Sequence, residues 1–178
     1  MAKKAKEAVS EVAEEKEVTA PAKKKKIIPK DIDVNQYITV YNGFQGQLVY
    51  ISKRTGETFE WDGYGDSQDV ELRELKNAKN SYKKFFTHNW FMFSEEDDWV
   101  IDYLGVRAFY RNAIPLDGFD ELFELPTNEL VSKISKLSTG QKRSVIYRAK
   151  QLIAEHQIDS LNKISALEEA LDVELIER

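Results

Sequence analysis

The residues best suited to chemistry lie between Arg73 and Phe86. Arg73, Lys76, Lys79, Lys83 and Lys84 recur at near-helical spacing, with Asn77, Asn80, Tyr82, Phe85 and Phe86 between them. Cations interleaved with amides and a stacking ring can grip a nucleic-acid backbone, so Arg73, Lys76, Tyr82, Lys83 and Lys84 form a candidate nucleic-acid surface, with Lys23–Lys26 assisting. The same spacing also describes a surface helix. Its lysines would face water, while Leu72, Leu75, Ala78, Phe85 and Phe86 face the core.

Other chemistries find less support. There is no cysteine, which excludes a disulfide framework, a thiolate zinc site and a cysteine nucleophile. His88 and His156 are the only histidines and stand far apart, so no metal site is expected. Asp62, Asp66 and Asp69 loosely follow the spacing of a calcium loop. The template's third, sixth and closing positions hold Tyr64, Ser67 and Arg73 in place of an oxygen ligand, glycine and glutamate. Gly140–Ser144 has lysine and serine near a glycine but lacks the upstream glycine and preceding strand of a phosphate loop. The carboxylates Glu95–Asp98 read as a solvated run at a helix start, and no serine sits in a nucleophile elbow. The expectation is a protein that is not an enzyme and takes no cofactor.

Charge is distributed unevenly. The net charge is −5, but residues 1–30 hold nine Lys and five Glu, a local +4 that leaves −9 on the remainder. Residues 1–30 lack aromatics and are expected to form a disordered charged arm, because they cannot bury enough apolar surface to offset ordering entropy. No apolar run suggests a membrane segment or a secretory signal.

The elements that would position these groups are α+β. Residues 31–116 read as a small antiparallel β unit with helices. Tyr37–Tyr41 alternates as a strand, and Leu48–Trp61 reads as a hairpin turning at Lys53-Arg54-Thr55-Gly56. A short strand follows at Asp69–Leu72, then a helix over Leu72–Lys84 with a break near Asn80-Ser81, a returning strand at Trp90–Phe93, and a Ser94-capped helix over Glu95–Leu104 closed by Gly105. Residues 117–178 read as a bundle of short helices. Thr127 is expected to cap the first long one, Ser138 and Gln141 to form a capping box on the next, and Asp159 or Ser160 to start the last, with Leu161, Ile164, Leu167 and Leu171 inside. Nine aromatics between Trp61 and Trp99 exceed what a small β unit can bury, so Trp61, Tyr64, Trp90 and Trp99 are candidate partner-binding anchors.

In texture, Val40–Asn42, Gly46–Tyr50, Thr55-Gly56, Trp61, Glu74-Leu75-Lys76, Asn89-Trp90-Phe91, Leu137–Lys142 and Arg148-Ala149 resemble small virion-associated proteins of tailed bacteriophages. The resemblance implies a structural or assembly role in the head, neck or tail of a particle, made in the host cytoplasm, with other protein subunits as partners. The alternative expectation is a nucleic-acid-binding accessory protein.

Overall fold

The computed structural model describes residues 28–176, and the expected arm lies outside the described residues except for its last three, Ile28, Pro29 and Lys30. The fold is α+β, and the described residues form five strands in two small antiparallel sheets and eight α-helices. β1 (Tyr37–Asn42) is the central strand of the first sheet. It pairs with β4 (Ser67–Glu71) on one side and β5 (Phe91–Met92) on the other. Ile38, Val40 and Asn42 face inward, as the alternation requires.

β2 (Leu48–Ile51) and β3 (Thr58–Trp61) form the second sheet, with Leu48 opposite Trp61 and Tyr50 opposite Phe59. The hairpin forms where its turn chemistry placed it. Gly56 takes φ +77°, and the buried Ser52 hydroxyl accepts from the amides of Arg54 and Thr55. β1 takes β4 and β5 as neighbours, so the hairpin abuts that sheet through side chains. The indole of Trp61 donates to Val40 O at 2.9 Å and Gln68 Nε2 to Glu60 O at 2.8 Å.

α1 (Leu72–Ser81) and α2 (Lys84–Thr87) are separated at Tyr82, close to the expected break. The first amides of α1 donate to Gln36 O and Val34 O, so the chain ahead of β1 replaces a side-chain cap. Its buried face carries a carboxylate. Glu74 accepts from the Tyr50 hydroxyl at 2.6 Å, Asn77 Nδ2 at 2.9 Å and Arg54 Nε at 2.9 Å, which ties hairpin to helix. Burial pushes this carboxyl up, but hydrogen bonds from Tyr50, Asn77, Ser52 and Arg54 outweigh it and hold it below its ordinary value.

α3 (Trp99–Tyr103) is shorter than expected. Ser94 accepts from Asp97 N in the turn before it, and Asp98 and Asp102 clamp Arg107 at the start of α4 (Arg107–Tyr110). Gly105, at φ +67°, ends α3 as expected.

A 3-10 turn at Leu116–Gly118 leads into α5 (Glu121–Glu124), α6 (Thr127–Ser135), α7 (Thr139–Ala154) and α8 (Leu161–Leu171). Leu130, Ile134, Val145, Ala149, Leu152, Ile164 and Leu167 build the second core. Three local expectations change. Thr127 begins α6 inside the helix, after Pro126, and provides no side-chain cap. Ser138 does cap α7 by accepting from Gln141 N, but the Gln141 side chain turns to Ile114, accepting from its N at 3.1 Å and donating to its O at 3.2 Å. Leu161 is 70% exposed, because Ser160 caps α8 and places Leu161 in the first turn, away from the stripe formed by Ile164 and Leu167.

Candidate functional site

Besides Tyr64, which packs on Phe119, the two cores meet along a short stretch of backbone, His88–Asn89, held between two glycines. A Cβ on Gly43 would lie 2.2 Å from Asn89 O, and one on Gly140 would lie 2.2 Å from His88 O. No side chain fits either contact. Around this seam the Ser144 hydroxyl, on α7, donates to Gly43 O at 3.2 Å and accepts from Gln45 N at 3.3 Å. Gly43 N donates to Trp90 O, and Asn89, buried at φ +54°, donates from Nδ2 to Phe109 O.

This seam presents Phe44. Asn42 is fully buried and holds the loop that carries the ring. Its Oδ1 accepts from Phe44 N, while its Nδ2 donates to Gly46 O and Gly63 O. Phe44 meets Trp90 edge-on at 6.2 Å and Tyr147 edge-on at 5.9 Å. Tyr147 is 57% exposed. Lys84 Nζ lies 5.6 Å from the Trp90 ring centre, a cation–π distance. Phe44, Arg143, Ile146, Tyr147 and Lys150 line an open cleft of about 330 Å³. Asn89 Oδ1 and Trp90 Nε1 are buried and have no hydrogen-bond partner among the described residues, so packing alone places the indole.

The electrostatics of this face run against the rest of the molecule. α7 carries Lys142, Arg143, Arg148 and Lys150 and no Asp or Glu along Thr139–Ala154, in a chain of net charge −5. Lys142 and Arg143 stand near the amino end of the helix, where the backbone dipole favours anions. None of the ion pairs among the described residues engages Lys84, Arg143 or Lys150. Burial, and then the positive charges of Arg143 and Lys84, holds the His88 imidazole below its ordinary range.

The structure separates the residues singled out from the sequence. Trp61 is 0% exposed and is core, so it is not available as a surface anchor. Tyr64 is half-buried against Phe119 at 4.9 Å in the helical core, with its hydroxyl donating to Leu116 O. Trp99 is half-buried beside Tyr103, and of the four anchors Trp90 alone belongs to the basic face.

The nucleic-acid candidates also divide. Arg73 is exposed and engaged by Glu71, and Lys76 is exposed on α1. Tyr82 is half-buried edge-on to Tyr50 with Lys53 over its ring, and Lys83 lies over Phe109. Only Lys84 reaches the face built on Trp90. Sequence reading missed Phe44, Arg143, Tyr147 and Lys150. The signal that could have found the last three is the acid-free run of α7, while nothing local marks Phe44.

A second exposed surface lies on the hairpin. Val49 and Ile51 occupy the outer side of β2 at 42% and 53% exposure, and among the described residues β2 has no strand partner beyond β3. Among the described residues no group of three or more His, Cys, Asp or Glu could hold a metal ion, and no helix is long and apolar enough to cross a membrane. No family model, no curated protein and no solved structure matches the chain.

Proposed function

We propose that this chain is a non-catalytic interaction protein, and that it serves as a minor component of a tailed-phage particle, in head, neck or tail, or as a factor in its assembly. The observation that carries the interaction role is the outer side of β2. Val49 and Ile51 expose adjacent apolar side chains on a strand whose outer edge is unpaired among the described residues, a combination that favours strand addition by a neighbouring subunit. The resemblance of the sequence to virion-associated proteins supplies the setting.

The test is mass spectrometry of purified particles carrying either the wild-type chain or the double variant Val49→Lys/Ile51→Lys. Wild-type protein is expected in the particles, and the variant, folded by circular dichroism, is expected to be depleted about tenfold, as loss of about 1.4 kcal/mol of contact would give. Wild-type protein found only in the lysate refutes the particle role. A variant incorporated at wild-type level refutes the β2 contact.

A further inference from the structure

We infer that the face formed by Phe44, Lys84, Trp90, Arg143, Tyr147 and Lys150 is a binding site for single-stranded nucleic acid. This inference does not rest on the β2 contact or on a place in a particle, and the two surfaces are built from different elements.

Three observations favour this ligand. The first is the form of the aromatic cluster. Phe44 stands perpendicular to Tyr147, at 87°, so the rings do not stack on each other, and Tyr147 is 57% exposed to an incoming base. Flat, sequence-tolerant stacking of bases on aromatic rings is the usual way single strands are held. The second is charge. Arg143 and Lys150 flank the cleft and Lys84 lies over Trp90, while α7 contributes no carboxylate and none of the three cations is in an ion pair among the described residues. A positive island on a chain of net charge −5 attracts a polyanion locally. The third is rigidity. Asn42 and Ser144 tie down the Phe44 loop, and the contacts at Gly43 and Gly140 fix α7 against the Trp90 segment, so the rings and cations are in place before a ligand arrives. An acidic protein segment would satisfy the cations but has no use for a ring face left open to solvent, as Tyr147 is. The cations on α1 are not this site: Arg73 is engaged by Glu71, and neither it nor Lys76 lines the cleft.

The experiment uses the full-length chain and a fluorescent thymidine oligonucleotide of about 12 bases, with binding followed by anisotropy as salt is raised. Binding is expected at low salt and should weaken steeply as salt rises. Tyr147→Ala should weaken it about tenfold through lost stacking. Arg143→Ala/Lys150→Ala should weaken it at least as much and reduce the salt slope by about 1.4. Lys76→Ala should leave it unchanged. All these side chains are solvent-facing, so the variants keep the wild-type circular dichroism. Absence of binding at low salt overturns the inference, as does wild-type binding by either the Tyr147 variant or the double variant. A loss in Lys76→Ala as large as that in Tyr147→Ala overturns the location. If polyglutamate displaces the oligonucleotide at equal charge concentration, and Tyr147→Ala has no effect, the face recognises acidic protein and the inference fails.

Discussion

The two cores are built on different principles. The first contains Tyr50, Trp61, Phe85, Phe86 and Phe91, and its rings meet mainly edge-on or tilted at 4.7–5.7 Å. Several of its large side chains carry a polar handle with a fixed partner: Tyr50 on Glu74, Trp61 on Val40 O, Tyr110 on Phe91 O. The second core is mostly Leu, Ile and Val on helical stripes, with Phe119 and Phe123 at its entrance from the β unit. A core of directional contacts specifies one register of strands and helix. A core of stripes specifies which faces turn inward and leaves the exact mating of helices to packing. Substitutions should therefore be felt differently in the two.

The largest effect is expected at Trp61. Trp61→Ala removes a 0% exposed indole and leaves Val40 O without its donor, and should cost about 3–5 kcal/mol in chemical denaturation. A smaller cost would mean that the aromatic core can collapse around the gap as a stripe core does. Next comes Gly140→Ala, where the new methyl meets the His88 backbone and should cost about 3 kcal/mol. Since that seam joins both cores, Trp fluorescence from the β unit and far-UV signal from the helices should shift together. Divergent transitions would show the cores to be energetically separate.

Glu74 sharpens the comparison through pH. Its carboxyl is held below its ordinary 4.5 in the folded chain, so its ionised form contributes stability that is complete above that value and is lost as pH falls through the lower folded value. Glu74→Gln should cost about 2 kcal/mol at neutral pH and flatten the acid limb of the stability curve below pH about 4.5. Among the described residues the helical core has no buried carboxylate of this kind. An unchanged acid limb would assign the loss to other carboxylates. The smallest effect belongs to Ser160→Ala. It removes the cap of α8 and should lower stability by about 1 kcal/mol, measured by thermal melting.

How much of this was legible in the sequence follows the same division. The helical stripes at Leu130 and Ile134, and at Val145, Ala149 and Leu152, are buried, and their spacing is periodic and local, so the sequence alone carries them. The hairpin was legible because one turn, Lys53 to Gly56, encodes it. The central position of β1 was not, since its partners lie about 30 and 50 residues downstream and register between distant strands leaves no local trace. Trp61 was read as an anchor because composition counts aromatics without showing which are covered. The basic face was hidden for a related reason. Phe44, Trp90 and Tyr147 come from three separate segments, and only the folded seam brings them together.

That seam also sets an order of events. The Ser144 hydroxyl and Gly43 carbonyl are 101 residues apart, and the chain between them includes nearly everything that makes the first core. During synthesis, β1 and its neighbours emerge long before α7, so the flank of the β unit at Gly43, His88 and Asn89 waits open until the helix arrives. Closing so long a loop comes late and slowly relative to local helix and hairpin formation. In a nascent chain the last surface to be sealed is then the one that later holds the Phe44 ring in position.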